Sequence, residues 1–201
     1  MPRVNTQVAA KDYPDQGIKK GDTYYSWKFR FGGAYKSKTM PRPSQLTQSK
    51  LSGAYAAQEA LEDAIGEASC IDDITSAIES CVSDINDVAQ EYRDSKENMP
   101  EGLQEGPTGQ ECEEKADALE EYASELESAK DEIEGLDARD FVDEDERKRV
   151  IAEEQDLSDQ EAIDAEYEKL DIKEFDDLEP DEQEQMLSDA KDFVNNVSLS
   201  I

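Results

Sequence analysis

Small and apolar residues return every seventh position from Leu61 to Tyr92: Leu61, Ala68, Thr75, Val82 and Ala89 form one series, and Ala64, Ile71, Ile78, Ile85 and Tyr92 the other. A helix with such a stripe must lay it against another helix, because the seam is nearly all the apolar surface it owns. At about 1.5 Å per residue the stripe runs for about 48 Å. The helix can begin earlier, near Ser44 or Leu51. Ser44 follows Pro41 and Pro43 and suits a helix cap, since its hydroxyl can accept from unpaired first-turn amides. Gly66 weakens the helix locally, by about 1 kcal/mol relative to Ala.

The run NMPEGLQEGPTGQ, residues 98–110, holds two prolines and three glycines and reads as a loop that ends this helix. Beyond it Cys112, Leu119, Leu126 and Ile133 repeat every seven residues, flanked by Ala116, Tyr122, Ala123, Ala129 and Leu136. Helix, loop and helix predict a mainly α fold built on a long antiparallel coiled-coil hairpin. Many seam positions are Ala, Thr or Cys, which bury little area at roughly 25 cal/mol per Å². The hairpin is therefore expected to recruit a further surface: the C-terminal helices, the aromatic face of the N-terminal segment, or a second copy of the chain.

After Leu136 the apolar clusters shorten to Phe141 with Val142, Val150 with Ile151, Ile163 with Tyr167 and Leu170, then Met186, Leu187, Phe193 and Val194. Two or three short, partly flexible helices are predicted there. Pro180 fits a first helical turn, and the acidic residues after it favour the positive helix end.

Charge divides the chain in a second way. Residues 1–50 hold ten Lys or Arg against three Asp or Glu, a net of +7, whereas the remainder holds 11 against 49, a net of −38. Residues 111–190 alone carry −26, about one net charge per 4.6 Å if wholly helical, against roughly one per 1.7 Å for duplex DNA. The predicted organisation is a basic aromatic head over residues 1–43, an acidic helical hairpin over 44–136 and an acidic short-helix region over 137–201.

Within the head, residues 1–22 read as extended chain and turns. TYYSWKFRF, Thr23 to Phe31, alternates, placing Tyr25, Trp27, Phe29 and Phe31 on one face and Tyr24, Ser26, Lys28 and Arg30 on the other, the pattern of a strand. Gly32 and Gly33 offer the two positive-φ positions of a two-residue hairpin turn into Ala34–Thr39. That turn sets Arg30 opposite Tyr35 and Lys28 opposite Ser37. The aromatic face is expected to pack on the following helix, because a lone hairpin is marginal in water. The other face, which gathers Tyr24, Lys28, Arg30, Tyr35 and Ser37, suits nucleic acid, since cations neutralise phosphates and rings stack on bases. With Lys36 and Lys38 of the second strand added, the candidate contacts are Tyr24, Lys28, Arg30, Tyr35, Lys36 and Lys38.

The run KDYPDQGIKKGDTYYSWKFRFGG followed by PRPSQLTQSKLSG, within residues 11–53, resembles the start of a family of uncharacterised tailed-phage proteins that carry this stretch ahead of an acidic helical region. Its core, TYYSWKFRFGGAYKSKT, is similar to the hairpin of the arm-type DNA-binding domains at the front of phage integrases. The resemblance implies a phage source and a DNA-contacting hairpin. It does not extend to integrase catalysis, since the chain has no His and is too short for that domain.

No glycine-rich phosphate loop, dinucleotide fingerprint or serine nucleophile elbow is present. Three dispersed cysteines, Cys70, Cys81 and Cys112, without any His leave zinc without a ligand set and read as seam residues, not a disulfide framework. The run Asp143, Glu144, Asp145, Glu146 lacks calcium-loop spacing. The expectation is a protein that is not an enzyme, with no cofactor and no metal. No apolar stretch is long enough to span a bilayer and no secretory signal is seen, so the expected place is the cytoplasm, that of a host cell for a phage protein. The first functional expectation is a phage adaptor whose head contacts DNA or RNA while its body engages protein. The alternatives are an acidic DNA mimic that blocks a host nucleic-acid-binding or defence protein, and a virion or assembly component.

Overall fold

The structure, a computed structural model, describes residues 1–155, 159–170, 172 and 174–199. It is mainly helical, with a small antiparallel sheet at the N-terminus. Two compact units divide it, residues 1–62 with 83–120 and residues 63–82 with 121–199. The helices α1 (Leu51–Glu67), α2 (Ile71–Glu97) and α4 (Pro107–Glu134) each contribute to both, and α3 (Glu101–Gln104) is a single turn in the first.

In the first unit three strands form the sheet: β1 (Asn5–Val8), β2 (Thr23–Lys28) and β3 (Ala34–Ser37), with β2 in the centre. The expected cap at Ser44 does not form, because a short turn over Pro43–Leu46 precedes a helix that starts only at Leu51. Ser44 instead donates its amide and hydroxyl to the Glu59 carboxylate, at 2.8 and 2.6 Å. Here α1 runs antiparallel to α2. Lys50 Nζ donates to the Glu91 carbonyl at 2.6 Å and to Ser95 Oγ at 2.7 Å, and Gly53 lies so near Val88 that a Cβ there would be 3.0 Å from Cγ2.

The end of α2 also pairs antiparallel with the start of α4. Arg93 donates to Glu120 at 2.7 and 2.6 Å and to Asp117 at 2.9 Å, and Lys96 lies 2.6 Å from Glu113. The loop expected over residues 98–110 is shorter, since it contains α3 and ends where α4 begins at Pro107. Proline lacks only an amide that the first helical turn leaves unpaired anyway, so it opens the helix instead of delaying it.

In the second unit the start of α2 and the end of α4 are held by Lys130, which pairs with Glu79 and Glu134. The single stripe expected from Leu61 to Tyr92 is interrupted: α1 ends at Glu67 and α2 begins at Ile71. Asp73 accounts for the break, its Oδ2 accepting from the Ser69 amide at 2.9 Å, the Ser69 hydroxyl at 3.0 Å and the Cys70 amide at 3.3 Å. The Ser69 amide, first among these donors, holds the Asp73 carboxyl below its ordinary value. Three short helices follow: α5 (Glu144–Glu154), α6 (Gln160–Tyr167) and α7 (Pro180–Asn195).

Of these, α7 rests through Met186 on a separate core of Ala138, Ile172, Leu178 and Met186, with Ile71, Leu136, Phe141, Val142 and Phe175 packed against it. Asp143 caps α5 by accepting from the Glu146 amide at 3.0 Å, so the acidic run there serves a helix end. Lys148 links α5 to α6 through Asp164, 2.8 Å away, and α7 reaches the α1–α2 junction where Lys191 Nζ donates to the Ala68 carbonyl at 3.3 Å. Among the described residues no helix is long and apolar enough to cross a membrane.

Candidate nucleic-acid interface

The sheet that carries the candidate residues is built differently from the hairpin expected. Opposed pairs are Tyr25 with Ser37, Ser26 with Lys36, Trp27 with Tyr35 and Lys28 with Ala34. The pairing of Arg30 with Tyr35 and Lys28 with Ser37 is thus out by three residues, an odd slip that exchanges the faces of β3. The cause is the turn. β2 stops at Lys28, leaving the five residues 29–33 as the loop, and of the two glycines only Gly32 takes a positive φ, of 141°.

The slip has chemical consequences. Tyr35 leaves the cationic face and stacks on buried Trp27, with centroids 5.8 Å apart and planes 14° apart, while Phe29 meets it edge-on at 5.6 Å. Lys36 joins the face that holds Tyr24, Ser26 and Lys28. The indole Nε1 of Trp27 is buried and has no acceptor among the described residues. Phe31, expected under a helix, stands in the loop with 78% of its surface exposed, and the Arg30 guanidinium lies 5.3 Å from its ring centroid.

β1 escapes the sequence reading, which took residues 1–22 as irregular. It pairs along β2, Asn5 with Ser26 and Gln7 with Tyr24. Val4, Thr6 and Val8 alternate with polar residues and are the signal that could have found it. Its arrival changes Tyr24 from an exposed platform into a core residue, 5% exposed beside Ala9, Ile18 and Tyr13. The Tyr24 hydroxyl donates to Gln7 Oε1 at 2.7 Å.

Lys36 covers this cluster, its Nζ 3.4 Å from the Tyr13 ring centroid and 5.8 Å from that of Tyr24. Lys11 lies 5.7 Å from the Tyr13 ring. The hydrogen bond from Lys36, opposed by slight burial, lowers the Tyr13 phenol below its ordinary value. Lys38 is 3.4 Å from Asp22, whose carboxyl is itself held low, chiefly by the Lys19 amide that it accepts.

Of the six candidate residues, the sheet brings Tyr24, Lys28 and Lys36 to one face, with Lys38 just past the end of β3 on the Asp22 side. Tyr35 lies on the opposite face, and Arg30 occupies the loop. Lys28 and Arg30 together line an open groove of about 430 Å³ with Phe29, Leu46 and Gln48, and neither forms an ion pair among the described residues. Two other basic residues of the first fifty are engaged: Arg42 Nη1 donates to the Glu59 carbonyl at 3.5 Å, and Lys50 is held by α2. Among the described residues no cluster of three or more Cys, Asp or Glu is placed to hold a metal. No protein-family model, curated protein or solved structure matches the chain.

Proposed function

We propose that this chain is a non-enzymatic phage adaptor that contacts DNA or RNA through its basic sheet while its acidic helices engage a protein partner. The observation that carries this reading is the pairing register, which puts Lys28 and Lys36 on one face next to a loop that exposes Arg30 and Phe31. Ammonium and guanidinium groups on one surface release counterions when they meet phosphates. An exposed ring flanked by a cation gives an unpaired base something to stack on. The acidic helices repel nucleic acid, so on this reading the head reaches the ligand and the body faces something else.

A mobility-shift assay with the whole chain tests the proposal, using a labelled oligonucleotide as a single strand and as a duplex at low salt. The expected result is a salt-sensitive shift that Lys28→Glu with Arg30→Glu reduces at least about tenfold. Both residues are exposed, so the double variant keeps the fold, checked by circular dichroism. No shift with either probe, or equal binding by the variant, contradicts the proposal.

A further inference from the structure

The second unit contains a cavity of about 460 Å³ in which the nucleic-acid contact has no part. Its floor is apolar, formed by Ile71, Ile133, Phe175 and Met186. Ile133 and Met186 are only 1% and 5% exposed, so the floor continues the core that Met186 shares with Ala138 and Leu178. The rim is acidic: Asp72, Glu134, Glu174 and Asp176 all line it, and among the described residues no basic side chain does. Glu134 is already paired, 3.3 Å from Lys130. Asp72 and Asp176 have no ion-pair partner among the described residues.

These features select a ligand by chemistry. The floor rewards an apolar body at roughly 25 cal/mol per Å² covered. The rim rejects an anion and favours a positive charge that stays partly hydrated beside two unpaired carboxylates. A peptide ordinarily needs a sheet edge or a long groove. This space is instead a concavity open to solvent on one side and bordered by the α1–α2 junction, the end of α4, the turns at Ala138 and Phe175, and α7, and its volume falls in the range of small-molecule pockets. We infer that the cavity lined by Asp72, Asp176 and the apolar floor binds a small organic cation with an apolar body, such as an arylalkyl ammonium.

The test uses the full chain and three probes of similar shape: phenethylammonium, phenethyl alcohol and 3-phenylpropionate. Calorimetry reads affinity. Alkylation of Cys70, which lines the cavity and is half-buried, reads location, with half-buried Cys112 of the other unit as internal control. The expected result is that phenethylammonium binds at least about tenfold tighter than 3-phenylpropionate and slows alkylation of Cys70 but not of Cys112. Asp72→Asn with Asp176→Asn, which alters charge without altering volume, should weaken the cation about tenfold. Failure of phenethylammonium to bind, equal binding of the anion, unprotected Cys70 at saturation, or an unaffected double variant each overturns the inference. So does binding by a Phe-Arg dipeptide amide alone, which would make the cavity a docking site for protein.

Discussion

Arg147 grips Glu182 with two hydrogen bonds, Nε to Oε1 at 3.3 Å and Nη2 to Oε2 at 2.5 Å. The same carboxylate accepts from the Asp143 amide at 3.0 Å and the Glu179 amide at 2.8 Å, so one side chain, 9% exposed, joins the starts of α5 and α7. Burial pushes the Glu182 carboxyl up, but Arg147 and the two amides outweigh it and hold it below its ordinary 4.5. The folded state therefore binds its proton more weakly than the unfolded chain does, and the contribution is fully present above about pH 4.5 and lost as pH falls toward and through the lowered value. Unfolding followed between pH 7 and 3 should show Glu182→Gln costing about 2–3 kcal/mol at neutral pH, less than the roughly 3–5 of a fully buried pair. That difference should shrink in acid.

Two glycines make opposite predictions. A Cβ on Gly109 would lie 2.0 Å from the Gln104 carbonyl oxygen, a collision with backbone that only movement of α3 or α4 relieves. Gly109→Ala should lose at least the roughly 1–3 kcal/mol typical of overpacking. Gly66, near the end of α1, has nothing within 4 Å of the same position, and Gly66→Ala should gain about 0.4–1 kcal/mol. Thermal melts of the two variants beside the parent chain check both signs.

The register of β2 on β3 is testable by titration. Lys36 reaches Tyr13 because the slip puts it on the Tyr24 face, so the Tyr13 phenol should ionise below its ordinary 10.0. Lys36→Met should return it upward. Nuclear magnetic resonance of the tyrosine rings against pH reads this directly, and a Tyr13 indifferent to Lys36 would restore the two-residue turn.

The helical seam was legible because heptad spacing fixes which side of a helix is apolar whatever lies around it. Ile78, Ile85, Leu119, Leu126 and Ile133 are all less than 2% exposed, each at a position the spacing selected. The break after Glu67 was hidden because Ala68 is buried and keeps the period, while the cap that makes the break is a side chain, Asp73, reaching back to Ser69. The sheet was harder to read for a related reason. Alternation states which residues share a face of one strand but not where the partner strand begins, and that depended on β2 ending at Lys28 instead of Phe31. Of the candidate interface, Lys28 was legible, whereas the placing of Lys36, Tyr35 and Tyr24 awaited the register and β1.

The salt dependence of nucleic-acid binding by the whole chain, compared with that of Lys28→Gln with Arg30→Gln, tests the central claim most directly. If Lys28, Arg30 and Lys36 each neutralise one phosphate, the logarithm of affinity should fall against the logarithm of salt with a slope of about −2 to −3, and the double variant should flatten it by about 1–2. A slope of zero, a positive slope as the acidic helices become screened, or a variant with the parent's slope would contradict it.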